Sequence, residues 1–281
     1  MHIDIKKEVT RSGVGRFGIT LFVLMVAMAL FAPVLAGYDP IAQSTSSLQP
    51  PSWSHLLGTN HVGQDIWSQL VYGARTSLLV GLSVALLSTV LSAVIGTSAA
   101  LIGGLYDRIV MRIVDALIVI PVIIVLILVA AYLRPSLWAI IIMLSLLGWQ
   151  GGARIARAQA LSLKQRMHVS AARCSGASKL YLMYRHIIPD LSPILLVEFI
   201  YSMRRAIFLE AGLAFIGISD PNVVSWGMMM REALEFSYLN VWLWWLLPAG
   251  IALSLVIISV TFTGHALEPA MDPRLRGEVS A

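Results

Sequence analysis

Charge is scarce in this sequence. Only 12% of its 281 residues are Asp, Glu, Lys or Arg, against 58% hydrophobic. A water-soluble domain carries roughly twice that charged fraction. Fifteen acids and twenty bases cannot solvate the surface of a soluble enzyme of this size, and the apolar excess equally excludes intrinsic disorder. Cysteine is almost missing: Cys174 stands alone, which forbids an intrachain disulfide or a multi-cysteine metal site. No Gly-Lys dipeptide occurs, so there is no Walker A phosphate loop. Gly-x-Ser-x-Gly, His-Glu-x-x-His and metal-spaced Cys/His clusters are missing too, and no internal repeat or low-complexity tract interrupts what reads as one domain. With a mean hydropathy of +0.80, the remaining class is an all-α integral membrane protein. Its net charge of +5 is then a topology signal, not a nucleic-acid footprint.

What is present are long uncharged runs. A spanning helix needs roughly 20 apolar residues, and charge-free stretches cover 17–38, 76–106, 116–133, 135–153 and 236–267. A further apolar segment, 191–218, is interrupted by Glu198, Arg204, Arg205 and Glu210. Counting it predicts six transmembrane helices. The first run could be a cleaved signal peptide, since Val34-Leu35-Ala36 resembles a cleavage site, but it exceeds the usual 7–15-residue apolar region and reads as a retained anchor.

With both termini cytoplasmic, fifteen of the twenty bases fall inside, Arg75, Arg134 and Arg231 outside, and Arg204 and Arg205 within the fifth span. Lys and Arg are held on the cytoplasmic side during insertion, so this bias sets the orientation in the plasma membrane. The expected layout is a cytoplasmic segment 1–16, a membrane domain 17–267 with an external stretch 37–75 and a cytoplasmic loop 151–190, and a cytoplasmic tail 268–281. Nothing in the chain would bind a nucleotide, metal or other cofactor. Energy for active transport must therefore come from an ion gradient or from a separate ATPase.

The cytoplasmic loop is the most informative segment. Residues 170–190, SAARCSGASKLYLMYRHIIPD, open with the small residues Ser170, Ala171, Ala172, Ser175, Gly176, Ala177 and Ser178, then pass Arg185 and His186 to Pro189. Small residues permit close backbone approach, and Gly176 can take the left-handed conformation that ends a short helix. A short helix, a bend and a second helix would suit a groove on another protein. For the charges alone, a solvated loop that obeys the positive-inside rule explains as much.

This segment resembles the signature loop of importer-type ABC permeases, in which Glu-Ala-Ala, three residues, Gly and nine residues precede Ile-x-x-Pro or similar. Ala171-Ala172, Gly176 and His186-Ile187-Ile188-Pro189 fit, and Ser170 stands where the family usually has Glu. Residues 57–81, LGTNHVGQDIWSQLVYGARTSLLVG, resemble the external segment of the dipeptide, oligopeptide and nickel permeases, with Asn60, Gln64 and Gln69 in place of the usual Asp, Arg and Arg. Residues 209–230 resemble the family's EAxLSFLG…SWG stretch through Glu210, Gly217, Trp226 and Gly227, and 248–277 its closing span and Asp-Pro-Arg-Leu-Arg end.

The resemblance implies the type I ABC importer permease fold. It implies a second, homologous permease, two cytoplasmic ATPases that bind the ATP, and an external binding protein delivering peptides, nickel or metal chelates. It also makes Ser170, Ala171, Ala172, Gly176, His186 and Pro189 the ATPase-coupling element.

Charges within a span cost about 2.5–3.5 kcal/mol each on insertion scales and so face a cavity or a partner. At 100° per residue, Glu198 and Arg205 share one helix face, whereas Arg204 and Glu210 project more than 100° away from it. All four are candidates for the substrate path, with structural pairing or snorkelling as the alternative. Met228, Met229 and Met230 read as packing and not as a soft-metal site. Trp242, Trp244 and Trp245 are expected to anchor the sixth span at the interface. The rival functions are an ion-coupled secondary transporter relaying protons through Glu198, Arg205 or Glu210, and an intramembrane enzyme. Glu198 with Arg205 suits the latter poorly, because Arg holds its proton.

Overall fold

The structure, a computed structural model, describes residues 13–132 and 136–271. The bases before residue 13, Arg134, and the Asp-Pro-Arg-Leu-Arg end lie outside the described residues. Every regular element among the described residues is helical, apart from one isolated bridge between Thr59 and Asp65. The order is α1 (Gly13–Leu30), α2 (Ala32–Leu35), α3 (Ile66–Ile102), α4 (Gly104–Val119), α5 (Val122–Tyr132), α6 (Leu137–Leu146), α7 (Gln150–Leu163), α8 (Met167–Cys174), α9 (Lys179–Leu182), a π-helical turn Met183–Ile187, α10 (Ile188–Phe215), α11 (Trp226–Glu235), a 3₁₀ turn Asn240–Leu243 and α12 (Leu246–Met271).

Among the described residues, three helical stretches are long and apolar enough to cross a bilayer: Gly13–Leu30, Ile66–Ile102 and Asn240–Leu267. Two further candidates are broken pairs, α4 with α5 bent by 76° and α6 with α7 bent by 41°. The uncharged run 116–133 is therefore not one straight helix. Pro121 lacks the N–H to continue α4 and holds Ile120 extended (φ −75°, ψ 123°), which turns the chain. Helix α4 also runs straight through Asp107, Arg108, Arg112 and Asp115, because charge marks where lipid ends, not where hydrogen bonding does. The charged candidate span is the 28-residue α10, about 42 Å long at 1.5 Å per residue.

Helix α3 is the axis of the molecule. Its 37 residues give about 55 Å, well beyond a hydrocarbon core of about 30 Å. It starts ten residues before the uncharged run, because Asp65 caps it by accepting hydrogen bonds from the Ser68 N–H (2.8 Å) and hydroxyl (2.7 Å). It ends where Gly103 and Gly104 both take positive φ (70° and 62°) and reverse the chain. Between these ends it buries small residues on the faces that meet α7 and α10. A Cβ on Gly81 would lie 2.6 Å from Ile207, and one on Gly96 2.9 Å from the Ala156 methyl.

Such close approach is how helices associate where lipid removes the hydrophobic drive. Ser88 and Ser92 of α3 donate to the Ser145 and Trp149 carbonyls (3.3 and 2.7 Å), two groups at the α6–α7 bend. Helix α1 belongs to the same core: Met25 and Ala29 are buried in it, and Gly18 lies against Phe262 of α12.

Candidate functional site

The coupling candidates occupy a helical hairpin. Helix α8 carries Ser170, Ala171 and Ala172 and is closed by Gly176 at φ 86°, the left-handed conformation its sequence allows. Ser178 caps α9 by accepting from the Tyr181 N–H (3.2 Å), and the π-helical turn containing His186 leads into α10, with Pro189 in its first turn. One side of the hairpin is anchored: Val169, Leu182, Met183 and Ile187 are buried. The other side is bare, with Ala171 and Gly176 exposed beside the apolar Met167, Leu180, Tyr181 and Tyr184.

His186 packs against Tyr181 and His168, at ring-centroid distances of 5.7 and 5.9 Å. His168 in turn lies 3.2 Å from the Asp190 carboxylate. The hairpin is also tied to α3. The Lys164 and Lys179 ammonium groups donate to the Ala100 and Ile102 carbonyls (2.9 and 3.5 Å), the end of that helix where cations are favoured.

The span charges separate into two environments. Glu198, Arg204 and Arg205 line one cavity of about 470 Å³, together with Tyr201, Ser202 and Phe208. Helical spacing alone sets Arg204 about 100° from Arg205 and about 120° from Glu198. All three nevertheless line this cavity, and the Arg204 guanidinium lies over the Tyr201 ring, 5.2 Å from its centroid. Glu198 reaches the other way, its Oε1 2.8 Å from where a Gly152 Cβ would stand.

Glu210 is elsewhere. It is 4% exposed and accepts a hydrogen bond from Ser77 of α3 (3.4 Å), with the Ser225 side chain as a second partner. Around it the EAxLSFLG…SWG stretch forms a joint. Trp226 is fully buried and donates its indole N–H to the Leu70 carbonyl (2.9 Å), and Gly227 lets the start of α11 lie directly on the Ala211 backbone. Gly217 (φ 91°) ends α10 while the Ile218 N–H returns to the Leu213 carbonyl (2.8 Å).

The external stretch is ordered by its polar side chains. Asn60 Nδ2 and Gln69 Nε2 both donate to Gln64 Oε1 (2.7 and 2.8 Å), while Gln64 Nε2 donates to the Ile41 carbonyl (3.0 Å). The three departures from the family pattern are therefore one interacting group, a neutral amide set in place of an acid and two bases. No reading of the positions one by one could join them. His55 pairs with Asp65 (2.9 Å), and His61 stacks on Phe236 and Trp245 at centroid distances of 5.1 and 5.8 Å. Trp245, expected at the interface, is fully buried; Trp242 remains partly exposed. Met229 is fully buried and Met230 packs against the same core, as the packing reading predicted. On α11, burial raises the Glu232 carboxyl to about 7, with Arg231 opposing the rise and Glu235 adding to it.

Residues 89–277 match the family of binding-protein-dependent transport system inner membrane components, and residues 10–51 match the N-terminal transmembrane domain of oligopeptide transport permease C. A Brucella suis protein named as a peptide transport system permease is 38% identical over 265 residues, covering 94% of this chain and 88% of the relative. The oligopeptide transport system permease protein OppC of Bacillus subtilis is 35% identical over 265 residues, covering 92% and 85%. Among solved structures, the MetNI methionine ABC transporter in an inward-facing conformation superposes with a TM-score of 0.55 at 18% identity, covering 76% of this chain and 97% of that one. The fold is thus that of an ABC transporter permease. Neither rival function finds support in these similarities.

Proposed function

Because the chain belongs to the family of binding-protein-dependent transport system inner membrane components, we propose that it is a permease subunit of an ATP-driven peptide importer. It pairs with a homologous permease, receives peptide from an external binding protein, and is driven by two cytoplasmic ATPases that carry the nucleotide. Six spans cross the membrane, α10 among them, and both termini are cytoplasmic. The peptide class follows the names of the relatives; nickel and metal chelates have no observation in their favour.

The observation that carries the coupling half of this reading is the one-sided burial of the α8–α9 hairpin. A segment rigidly mounted through Val169, Leu182, Met183 and Ile187, yet bare on its outer side, can transmit a push without deforming. The lysine ties to the end of α3 would pass that push to the longest helix. ATP drives import only by favouring one arrangement of the spans over the other, so the hairpin must carry that energy difference.

Gly176 tests the docking. Any side chain there meets the strain of positive φ, roughly 1–2 kcal/mol, but only a large one obstructs the exposed surface. Gly176→Ala should retain the co-purifying ATPase, and Gly176→Trp should lose it by at least about tenfold at unchanged membrane abundance. Full co-purification with Gly176→Trp would overturn the docking assignment.

A further inference from the structure

Two guanidinium groups sit near the middle of α10. Arg204 lies 16 residues beyond Ile188, the first residue of the helix, or about 24 Å along its axis. Placing one such charge at the bilayer centre costs about 2.5–3.5 kcal/mol, and no carboxylate among the described residues lies within 4 Å of either guanidinium. Neither is held in a close ion pair, although the Arg205 charge acts on Glu198 from beyond that distance. Both instead line the 470 Å³ cavity, with Glu198 as its acid. The Arg204 guanidinium lies over the Tyr201 ring, and a planar fork of donors of this kind matches a carboxylate.

Resting on the permease reading, we propose that this cavity is a station for carboxylates on the translocation path. Arg204 and Arg205 take a side-chain carboxylate of a peptide, and Glu198 faces its ammonium end. Seven residues separate Glu198 from Arg205, about 10.5 Å along the helix, close to the span of three extended residues at about 3.3–3.6 Å each. Two cations against one anion make the station repel cationic cargo. It therefore favours acidic and neutral peptides over basic peptides and divalent metal ions.

The test uses the assembled transporter in proteoliposomes with its binding protein and ATP. Initial import rates are compared for three tripeptides, Ala-Glu-Ala, Ala-Ala-Ala and Ala-Lys-Ala, each supplied as saturated binding-protein complex. Because every variant meets the same binding protein, receptor preference cancels when each rate is divided by that of the wild type. Arg204→Gln and Arg205→Gln should each cut Ala-Glu-Ala import about tenfold and leave Ala-Lys-Ala within twofold. The double variant R204E/R205E should reverse the acid-to-base ratio, a gain that misfolding cannot produce.

Arg205→Lys, which keeps the charge but loses the fork, serves if the other variants do not assemble. It should lower Ala-Glu-Ala import selectively. Equal effects on all three peptides, or none, would overturn the station while the permease reading stands. Failure of the wild type to import any of the three with ATP would strike the permease reading instead.

Discussion

At the scale of single residues, the same side-chain type serves different ends according to what surrounds it. Glu210 is held by Ser77 and belongs to a joint between α3, α10 and α11, whereas Glu198, three turns earlier on the same helix, opens onto a cavity. Glu232 is a third case. Its carboxyl titrates near 7 in the folded protein because burial penalises the charge, while an unfolded Glu titrates at about 4.3. The folded state therefore binds the proton more tightly, and the wild-type residue is best tolerated in acid. Its contribution declines as pH rises from the unfolded value through 7. Glu232→Gln should consequently unfold at a higher temperature than the wild type at pH 8, with the gap closing by pH 4. A gap independent of pH would contradict this assignment.

At the scale of elements, the external stretch shows how a motif can change its chemistry and keep its shape. Asn60, Gln64 and Gln69 share hydrogen bonds through one amide oxygen. Asn60 is fully buried, so Asn60→Asp alone sets a carboxylate against the Gln64 oxygen. The loss should be about 1–3 kcal/mol, read as a lower unfolding temperature in detergent. The triple variant N60D/Q64R/Q69R, which restores the pattern usual in the family, should recover most of it. No recovery would mean the three positions are independent.

The elements were unevenly legible beforehand. The turn at Gly176 and the existence of apolar spans follow from local residue types. The break at Pro121, the bend between α6 and α7 and the early start of α3 at its Asp65 cap escaped a reading based on runs without charge. Hydrophobicity reports the surroundings of a helix, whereas caps, prolines and glycines set its ends.

At the scale of the molecule, the proposal makes the permease a passive half of a machine. Reconstituted without its companion subunits, this chain should give no peptide uptake above that of empty liposomes, with or without ATP or an ion gradient. Uptake driven by a proton gradient alone would revive the secondary transporter. Composition by itself determined the membrane class and the helical architecture, because transfer into lipid depends on residue type and little else. Motif order determined the family.

Only the tertiary structure decided which charges meet. It brought Arg204 to the cavity of Glu198 and Arg205, withdrew Glu210 into a buried joint, took Trp245 from the interface into the core and joined three separate amides into one network. Those outcomes depend on how helices distant in sequence lean on one another, and α3, with its row of small residues, is what lets them come close enough to do so.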